Sequence, residues 1–318
     1  MQRRLNSMTQ NPLITIVIPV FNREKVVRRT LDSVAAQTFR PLNVILVDNG
    51  SVDGTLQLLN EWKDSVECDG FNVKVLEEPS AGACLARNRG LREVSTPYVM
   101  FFDSDDVMSP AHVDRAASVI MKNPDADVVG WDADCVSLSG KRRKLIFASE
   151  NFLFNHIFHA SLSTQRYICR TEFIRSAGGW NESVFGWNDY ELGMRLLLRN
   201  PKIVYAGRER TVTVYSQEES ITGTGFSMSQ TKWEHSLDVC QMQLENAGLG
   251  RAVKWIETRR VILAGHYRKE GDDGAGERLV NEVLSRAVRL RDRMFYKMVY
   301  MFVACGGRGV AIMAKLMI

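Results

Sequence analysis

The first hundred residues alternate short apolar runs with stretches whose apolar positions recur every three to four residues. Residues 13–20 (LITIVIPV) and 42–47 (LNVILV) are β-branched runs too short for helices, and they predict buried strands. A weaker run at 73–76 and an aromatic one at 98–102 (YVMFF) predict two more. Helical patterns separate them. Val27, Leu31, Val34 and Ala35 share a face of 24–37, and 55–62 and 82–94 follow. Strand, helix, strand, helix with short connections implies an α/β fold with a parallel sheet and right-handed crossovers.

Further along, residues 111–226 mix shorter strands (127–131, 166–169, 202–205, 211–215) with helices at 171–177 and 189–198. From about Ser229 the pattern turns helical. Trp233, Leu237, Cys240 and Leu244 share a face, and helices over 253–267 and 278–290 follow across glycine breaks. The expected organisation is an N-terminal extension (1–12), an α/β body (13–226) divided at 110 into two halves, and a helical region (227–318).

In open parallel sheets, ligands bind beyond the carboxyl ends of the strands. Three predicted strands run into polar segments there: Phe21-Asn22, Asp48-Asn49-Gly50-Ser51 and Asp103-Ser104-Asp105-Asp106. Three carboxylates within four residues are hard oxygen donors, the kind Mg²⁺ takes together with substrate phosphates. The same stretch also reads as an acidic turn before the helix after Pro110. Likewise, 48–55 (DNGSVDGT) reads as a ligand loop or as a tight turn with an N-cap at Asp53 or Thr55. Trp187-Asn188-Asp189-Tyr190-Glu191 opens an amphipathic helix, where the dipole favours acidic residues and where a carboxylate base could be held. His156 and His159 lie three apart among Phe152, Phe154 and Phe158, a spacing that suits metal ligation or a His pair packed among aromatics.

Composition removes several classes. With 45% apolar and 25% charged residues, the 318-residue chain is neither collagen-like nor disordered. Six scattered cysteines without a CxxC pair argue against a zinc site or a disulfide framework and suit a reducing cytosol. A net charge of +4 is too small to imply a nucleic-acid partner. Its distribution says more: residues 251–318 hold fourteen Lys/Arg against seven Asp/Glu, so the tail carries +7 and the remainder −3. Residues 294–318 are the most apolar stretch, but Lys297, Gly306-Gly307-Arg308-Gly309 and Lys315 interrupt them. With Arg286, Arg289, Arg291 and Arg293 ahead of it, this segment reads as a membrane-surface contact, or as a helix packed on the body or on a second subunit. No apolar run is long enough to span a bilayer, and Arg3 and Arg4 are followed by no apolar stretch of the signal-peptide kind. The expected location is the cytoplasm, at the inner face of the membrane if the tail anchors there.

Taken in order, five segments resemble the family-two glycosyltransferases. They are Ile14–Glu24 (ITIVIPVFNRE), Val47–Thr55 (VDNGSVDGT), Ala86-Arg87-Asn88-Arg89-Gly90, Phe101–Asp106 (FFDSDD), and Gly178-Gly179-Trp180-Asn181-Glu182 with Asn188-Asp189. The resemblance runs from Leu13 to about Gly223. It implies a GT-A fold, with a mostly parallel central sheet flanked by helices and here a helical C-terminal extension. It also implies a nucleotide-sugar donor, a divalent cation (Mn²⁺ or Mg²⁺) and inversion at the anomeric carbon. By the same resemblance, Pro19, Val20 and Phe21 line the base pocket and Asp48 hydrogen-bonds the base. Arg87 reaches toward the nucleotide, while Asp103 and Ser104 lie by the ribose and phosphates. Asp105, with Asp103, holds the metal, and Asp189 is the general base. Trp187, Asn188 and Trp180 are candidates for acceptor contact, the acceptor being a carbohydrate or a lipid-linked one.

Two departures stand out. Many relatives carry a His in a Y-x-x-H-x-x-S-I-T stretch, where this chain reads Tyr215-Ser216-Gln217-Glu218-Glu219-Ser220-Ile221-Thr222. Either Gln217 or Glu218 substitutes, or phosphates and water fill the coordination shell, and 220–226 reads as a lid or a plain connector. Asn188 stands where Glu is more frequent. The rival readings are a sugar nucleotidyltransferase, whose GxGxRxxP loop is absent after the first strand, and a non-catalytic binding protein that keeps the fold. A dinucleotide oxidoreductase would need GxGxxG there.

Overall fold

The structure is a computed structural model that describes residues 11–216 and 225–317. Gln217, Glu218 and most of the expected lid lie outside the described residues. The chain divides into two compact units with interleaved segments: 1–150, 161–185 and 199–217 form the first, and 151–160, 186–198 and 218–318 the second.

In the first unit, β1 (Ile14–Val20), β2 (Leu42–Asp48), β3 (Phe71–Glu77) and β4 (Tyr98–Phe101) alternate with α1 (Val27–Ala35), α2 (Thr55–Val66) and α3 (Ala83–Glu93). As the apolar runs predict, β1 is central and parallel to both neighbours, with Val20 opposite Asp48 and Val17 opposite Phe101. Later come β5 (Val107–Met108), α4 (His112–Lys122), β6 (Val128–Gly130), β7 (Ala133–Val136) and β8 (Arg142–Leu145). They are followed by α5 (Phe152–His159), β9 (Tyr167–Arg170), α6 (Thr171–Ser176), α7 (Asn188–Leu198), β10 (Ile203–Tyr205) and β11 (Val212–Tyr215). The seven-stranded sheet runs β10-β6-β9-β4-β1-β2-β3, and β9 alone is antiparallel to its neighbours. α3 lies so close to the sheet that a Cβ on Gly90 would sit 2.4 Å from Val17 Cγ1, a distance only glycine tolerates.

A second sheet, β5-β11-β7-β8, was foreshadowed in sequence only by β11. β5 has two residues, and three of the four β8 residues are exposed and basic, so neither carries an apolar period.

The second unit is helical. It comprises α5, α7, α8 (Gln230–Asn246), α9 (Gly250–Lys269), α10 (Asp273–Arg286), α11 (Leu290–Ala304) and α12 (Val310–Met317). α9 buries residues all round, from Ile256 and Thr258 to Val261, Leu263 and Tyr267, as the central helix of a bundle must. Trp233, Leu237, Cys240 and Leu244 form the predicted buried face of α8. The helix expected over 278–290 ends at Arg286, because Ala287 is extended, and α11 begins anew at Leu290. α5 and α7 belong to this unit by packing, although they lie within the 13–226 stretch read as one body. Among the described residues no helix is long and apolar enough to cross a membrane.

Candidate active site

Because β2, β1 and β4 are adjacent and parallel, their carboxyl ends lie side by side, with Asp48 at the end of β2 and Asp103 after β4 flanking the end of β1. At that end Phe21 is half exposed and Pro19 partly buried. Val20 has its side chain in the hydrophobic core. Its carbonyl accepts from the Asn49 N–H at 2.8 Å. Asn22, in the left-handed region at φ 49°, accepts through Oδ1 from the Val52 N–H at 2.9 Å, while its own N–H donates to Ser51 Oγ at 3.0 Å. The two loops therefore brace each other.

Asp48 is 2% exposed. Its Oδ2 accepts from the Ser51 N–H at 3.0 Å, whereas Oδ1 is buried with no hydrogen-bond partner. An unsatisfied buried carboxylate oxygen is costly and marks a place for a donor. Asn49 ties β2 to the loop before α3, donating to the Glu78 and Ser80 carbonyls and accepting from the Gly82 N–H.

The Asp103–Asp106 stretch gathers more charge than it neutralises. Asp103 accepts from Arg87 Nη2 at 2.7 Å on one oxygen and from Gln165 Nε2 on the other. Burial, reinforced by the Asp103 charge, pushes the Asp105 carboxyl up to about 6. Asp106 is raised well above the usual carboxylate range, again by burial and then by Asp103 and Asp105. Its Oδ1 accepts from the Tyr215 N–H at 2.9 Å, and Oδ2 is buried without a partner. Arg29 donates to the Asp105 carbonyl at 2.6 Å rather than to a carboxylate, with its guanidinium 3.9 Å over the Tyr215 ring. Ser104 is buried among them.

Arg87 is held from below. Its guanidinium lies 4.4 Å from the centroid of the Trp180 ring, which is 2% exposed and packed edge-on against Phe101 at 5.2 Å. Buried so, Trp180 props Arg87. Asn88 clamps the same segment, donating to the Trp180 carbonyl and to Glu182 while accepting from the Trp180 N–H. Gly179 is required there: at φ +65° its Cβ would meet Asn88 Oδ1 at 2.7 Å. Sequence reading missed Gln165, Asn88 and Asp106 as working members. Asn88 and Asp106 stood inside motifs already noticed, whereas nothing local marks Gln165, 62 positions from Asp103.

Trp187, Asn188 and Asp189 belong to the second unit. Asp189, in the first turn of α7, accepts through Oδ1 from the Tyr190 N–H at 2.8 Å. Trp187 holds φ 48°, a left-handed conformation that costs a bulky residue about 1–3 kcal/mol and persists only when its surroundings over-determine it. Those surroundings are Trp233, Phe226 and Tyr190, with ring centroids 5.1, 5.8 and 6.1 Å away, and the Arg259 guanidinium at 5.2 Å. His156 is buried, its Nε2 donating to the Tyr190 carbonyl at 2.7 Å, while His159 is exposed. The pair is not a joint ligand set.

Hard carboxylate oxygens with pKa values raised by burial, and further by one another's charge, fit a hard divalent cation. Among the described residues, no group of three or more His, Cys, Asp or Glu side chains is gathered to hold one unaided. Phosphate oxygens or water would have to complete such a shell.

The fold is similar to that of TarS from S. aureus. Residues 1–349 of that protein, in complex with UDP-GlcNAc, match over 92% of both chains with a TM-score of 0.67 at 19% identity. The mannosyltransferase PcManGT from Pyrobaculum calidifontis, in complex with GDP-Man and Mn²⁺, gives 0.55 over 94% of this chain and 87% of that one, at 16% identity. In sequence, the glycosyltransferase GlyA of Streptococcus pneumoniae serotype 4 is 34% identical over 109 residues, and an uncharacterized glycosyltransferase of Haemophilus influenzae is 30% identical over 140. Those stretches cover 34% and 44% of this chain, and 15% and 54% of the relatives' own lengths. The segment from β1 through α6 carries the strand-end carboxylates with Arg87 and Gln165, and residues 15–177, just over half of the chain, match the model of Glycosyl transferase family 2, to which this chain belongs.

Proposed function

We propose that the chain transfers a sugar from a nucleotide-sugar donor, UDP-linked, to a hydroxyl acceptor in polysaccharide or glycoconjugate assembly, with inversion of configuration. The observation that carries this reading is the pair of aspartate-bearing strand ends, Asp48 and Asp103–Asp106, on either side of the end of β1. The acceptor is a carbohydrate or a lipid-linked sugar. The first unit serves as donor-binding body and the helical unit as its extension.

Each residue then has a chemical task. Asp48 Oδ1 accepts the imide N–H of a uracil ring, satisfying the oxygen that is otherwise buried without a partner. Phe21, half exposed at the end of β1, supplies the apolar wall beside the base, and Pro19 its backbone edge. Arg87, seated on Trp180, keeps Asp103 oriented toward the ribose and phosphates, with Ser104 beside it. Asp105, with Asp103, would hold Mn²⁺ or Mg²⁺, which when bound stabilises the charge developing on the departing diphosphate. Asp189 takes the proton of the attacking hydroxyl, the usual work of a positioned carboxylate base. Trp187 and Asn188 sit next to it in the chain and contact the acceptor. A single displacement gives inversion and needs no covalent enzyme intermediate.

Calorimetric titration of UDP, GDP and dTDP, each with Mn²⁺ and with EDTA, tests the reading. Manganese-dependent binding of UDP is expected, weakened about 10- to 100-fold in Asp48→Asn, which presents an amide N–H to the uracil N–H. Binding of none of the three would favour a non-catalytic protein that keeps the fold. Binding of GDP alone would overturn the uracil assignment and leave the strand-end site standing.

A further inference from the structure

α11 buries one face and exposes another that is also apolar. Phe295, Tyr296, Val299, Tyr300 and Val303 pack inward. On the opposite side Leu290, Met294, Met298, Met301 and Phe302 are 37–73% exposed. At 100° per residue these five span an arc of about 120°, a stripe as wide as the one that normally faces a core. Arg293 and Lys297 border it on one side and Arg291 falls within it, between Met298 and Phe302, all exposed. α12 adds Ile312 and Leu316, 70% and 81% exposed, with Lys315 between them.

The charge around this stripe selects its partner. Residues 289–318 hold six Lys/Arg and one acidic residue, Asp292. That carboxylate is drawn inward to Lys254 Nζ at 2.7 Å, with its side chain 14% exposed, and its other oxygen pairs with Arg291 Nε at 3.3 Å, so Arg293 and Lys297 are the cations that carry the net charge of the outer face. A second copy of this face would bring a net +5 against a net +5. An anionic surface would complement both the cations and the apolar stripe beside them.

We propose that α11, with α12, is a docking surface for an anionic bilayer. The helix lies in the headgroup region, with Leu290, Met294, Met298, Met301 and Phe302 toward the acyl chains and Arg293 and Lys297 at the lipid phosphates. The proposal does not depend on the transferase reading.

Co-sedimentation of the full chain with sucrose-loaded vesicles tests this. Vesicles of phosphatidylcholine with 30% phosphatidylglycerol should bind at least tenfold more tightly than pure phosphatidylcholine, and raising NaCl from 0.1 to 0.5 M should remove most of that difference. Met294→Glu/Met298→Glu should abolish vesicle binding with an unchanged thermal melt, both positions being exposed. Arg293→Gln/Lys297→Gln should weaken binding to the anionic vesicles about tenfold and leave the neutral ones unaffected. Equal affinity for both vesicle types, no binding to either, or a light-scattering dimer that Met294→Glu/Met298→Glu dissolves would overturn the proposal, the last by identifying a second copy as the occupant.

Discussion

Buried carboxylates in the two units are treated differently. Around the end of β4, Asp103, Asp105 and Asp106 crowd together, with Arg87 paired to Asp103 and with Arg23 and Arg29 acting on the Asp105 carboxyl only through their charge. Two of the three are pushed upward in pKa, and one oxygen of Asp106 has no partner. At the start of α7, Glu191 is fully buried yet answered on both oxygens by Arg195 at 2.6 and 2.8 Å, with Gln243 adding a third hydrogen bond at 2.7 Å. A buried charge with its partners in place is architecture. A buried charge left short of them costs stability, and the cost is recovered when a ligand supplies what is missing. Glu191 has a neighbour of the same charge in the first turn of the same helix, Asp189, which is half-buried and is proposed as the base rather than as architecture.

The sharpest way to break the contrast is at those two neighbours. Asp189→Asn should lower the transfer rate by about 10²- to 10⁴-fold, the usual worth of a positioned general base, while donor affinity and melting temperature stay as they were. Calorimetry and a single-turnover assay measure the two halves of that statement. A parallel loss of donor affinity would move Asp189 from base to binding residue.

Arg195→Met should do the reverse. It strands the Glu191 carboxylate in the bundle with Gln243 alone, and loss of one partner of a buried pair costs about 3–5 kcal/mol, readable as a lowered urea midpoint. The double variant Glu191→Gln/Arg195→Met should recover most of that loss. By comparison, Arg28→Ala, which removes the exposed Arg28–Asp32 pair, should stay within about 0.5 kcal/mol of the parent. An Arg195→Met protein as stable as the Arg28→Ala one would erase the distinction drawn here.

The legibility of the two regions in sequence follows the same division. β1, β2 and β4 are buried on both faces, so they appear as unbroken apolar runs, and the loops that follow them are contiguous stretches of polar residues. Asp48, Asp103 and Asp105 could therefore be picked out as a group. Gln165 reaches Asp103 through the fold rather than along the chain, and Trp180 could be recognised as the support of Arg87 only once its burial was known. α5 and α7 have apolar faces that any core would satisfy, so nothing in their own residues says that they pack with the C-terminal helices. The break at Ala287 is silent as well: residues 286–290 (RAVRL) contain nothing a helix rejects, yet Ala287 and Arg289 are extended.

The smallest expected effect concerns pH, and it sets a second buried group against the carboxylate cluster. His112 donates or accepts at Thr211 through Nδ1 at 2.7 Å, lies edge-on to Trp131, and is held down to about 3 by burial, with Arg115 adding to the effect. Unfolded, it titrates near 6.5, so between roughly pH 3 and 6.5 the unfolded chain carries a proton that the folded one does not, and stability rises with pH. Asp105 works the other way. Folded, it holds its proton up to about 6 against an ordinary value of 3.8, so stability falls as pH rises through that interval. The two oppose each other in the cation-free protein, and the wild-type profile alone cannot apportion them. The variants can. Between pH 6.5 and 5.5, His112→Gln should be spared a loss of about 1 kcal/mol that the parent suffers from this residue. Asp105→Asn should steepen the parent's rise with pH by up to about 1.4 kcal/mol per pH unit between 4 and 6, and should be more stable than the parent at neutral pH. Urea melts at half-unit intervals would resolve both slopes. If Asp105→Asn left the slope unchanged, the carboxylate would already be satisfied without a cation, and the strand-end cluster would belong with Glu191 as architecture.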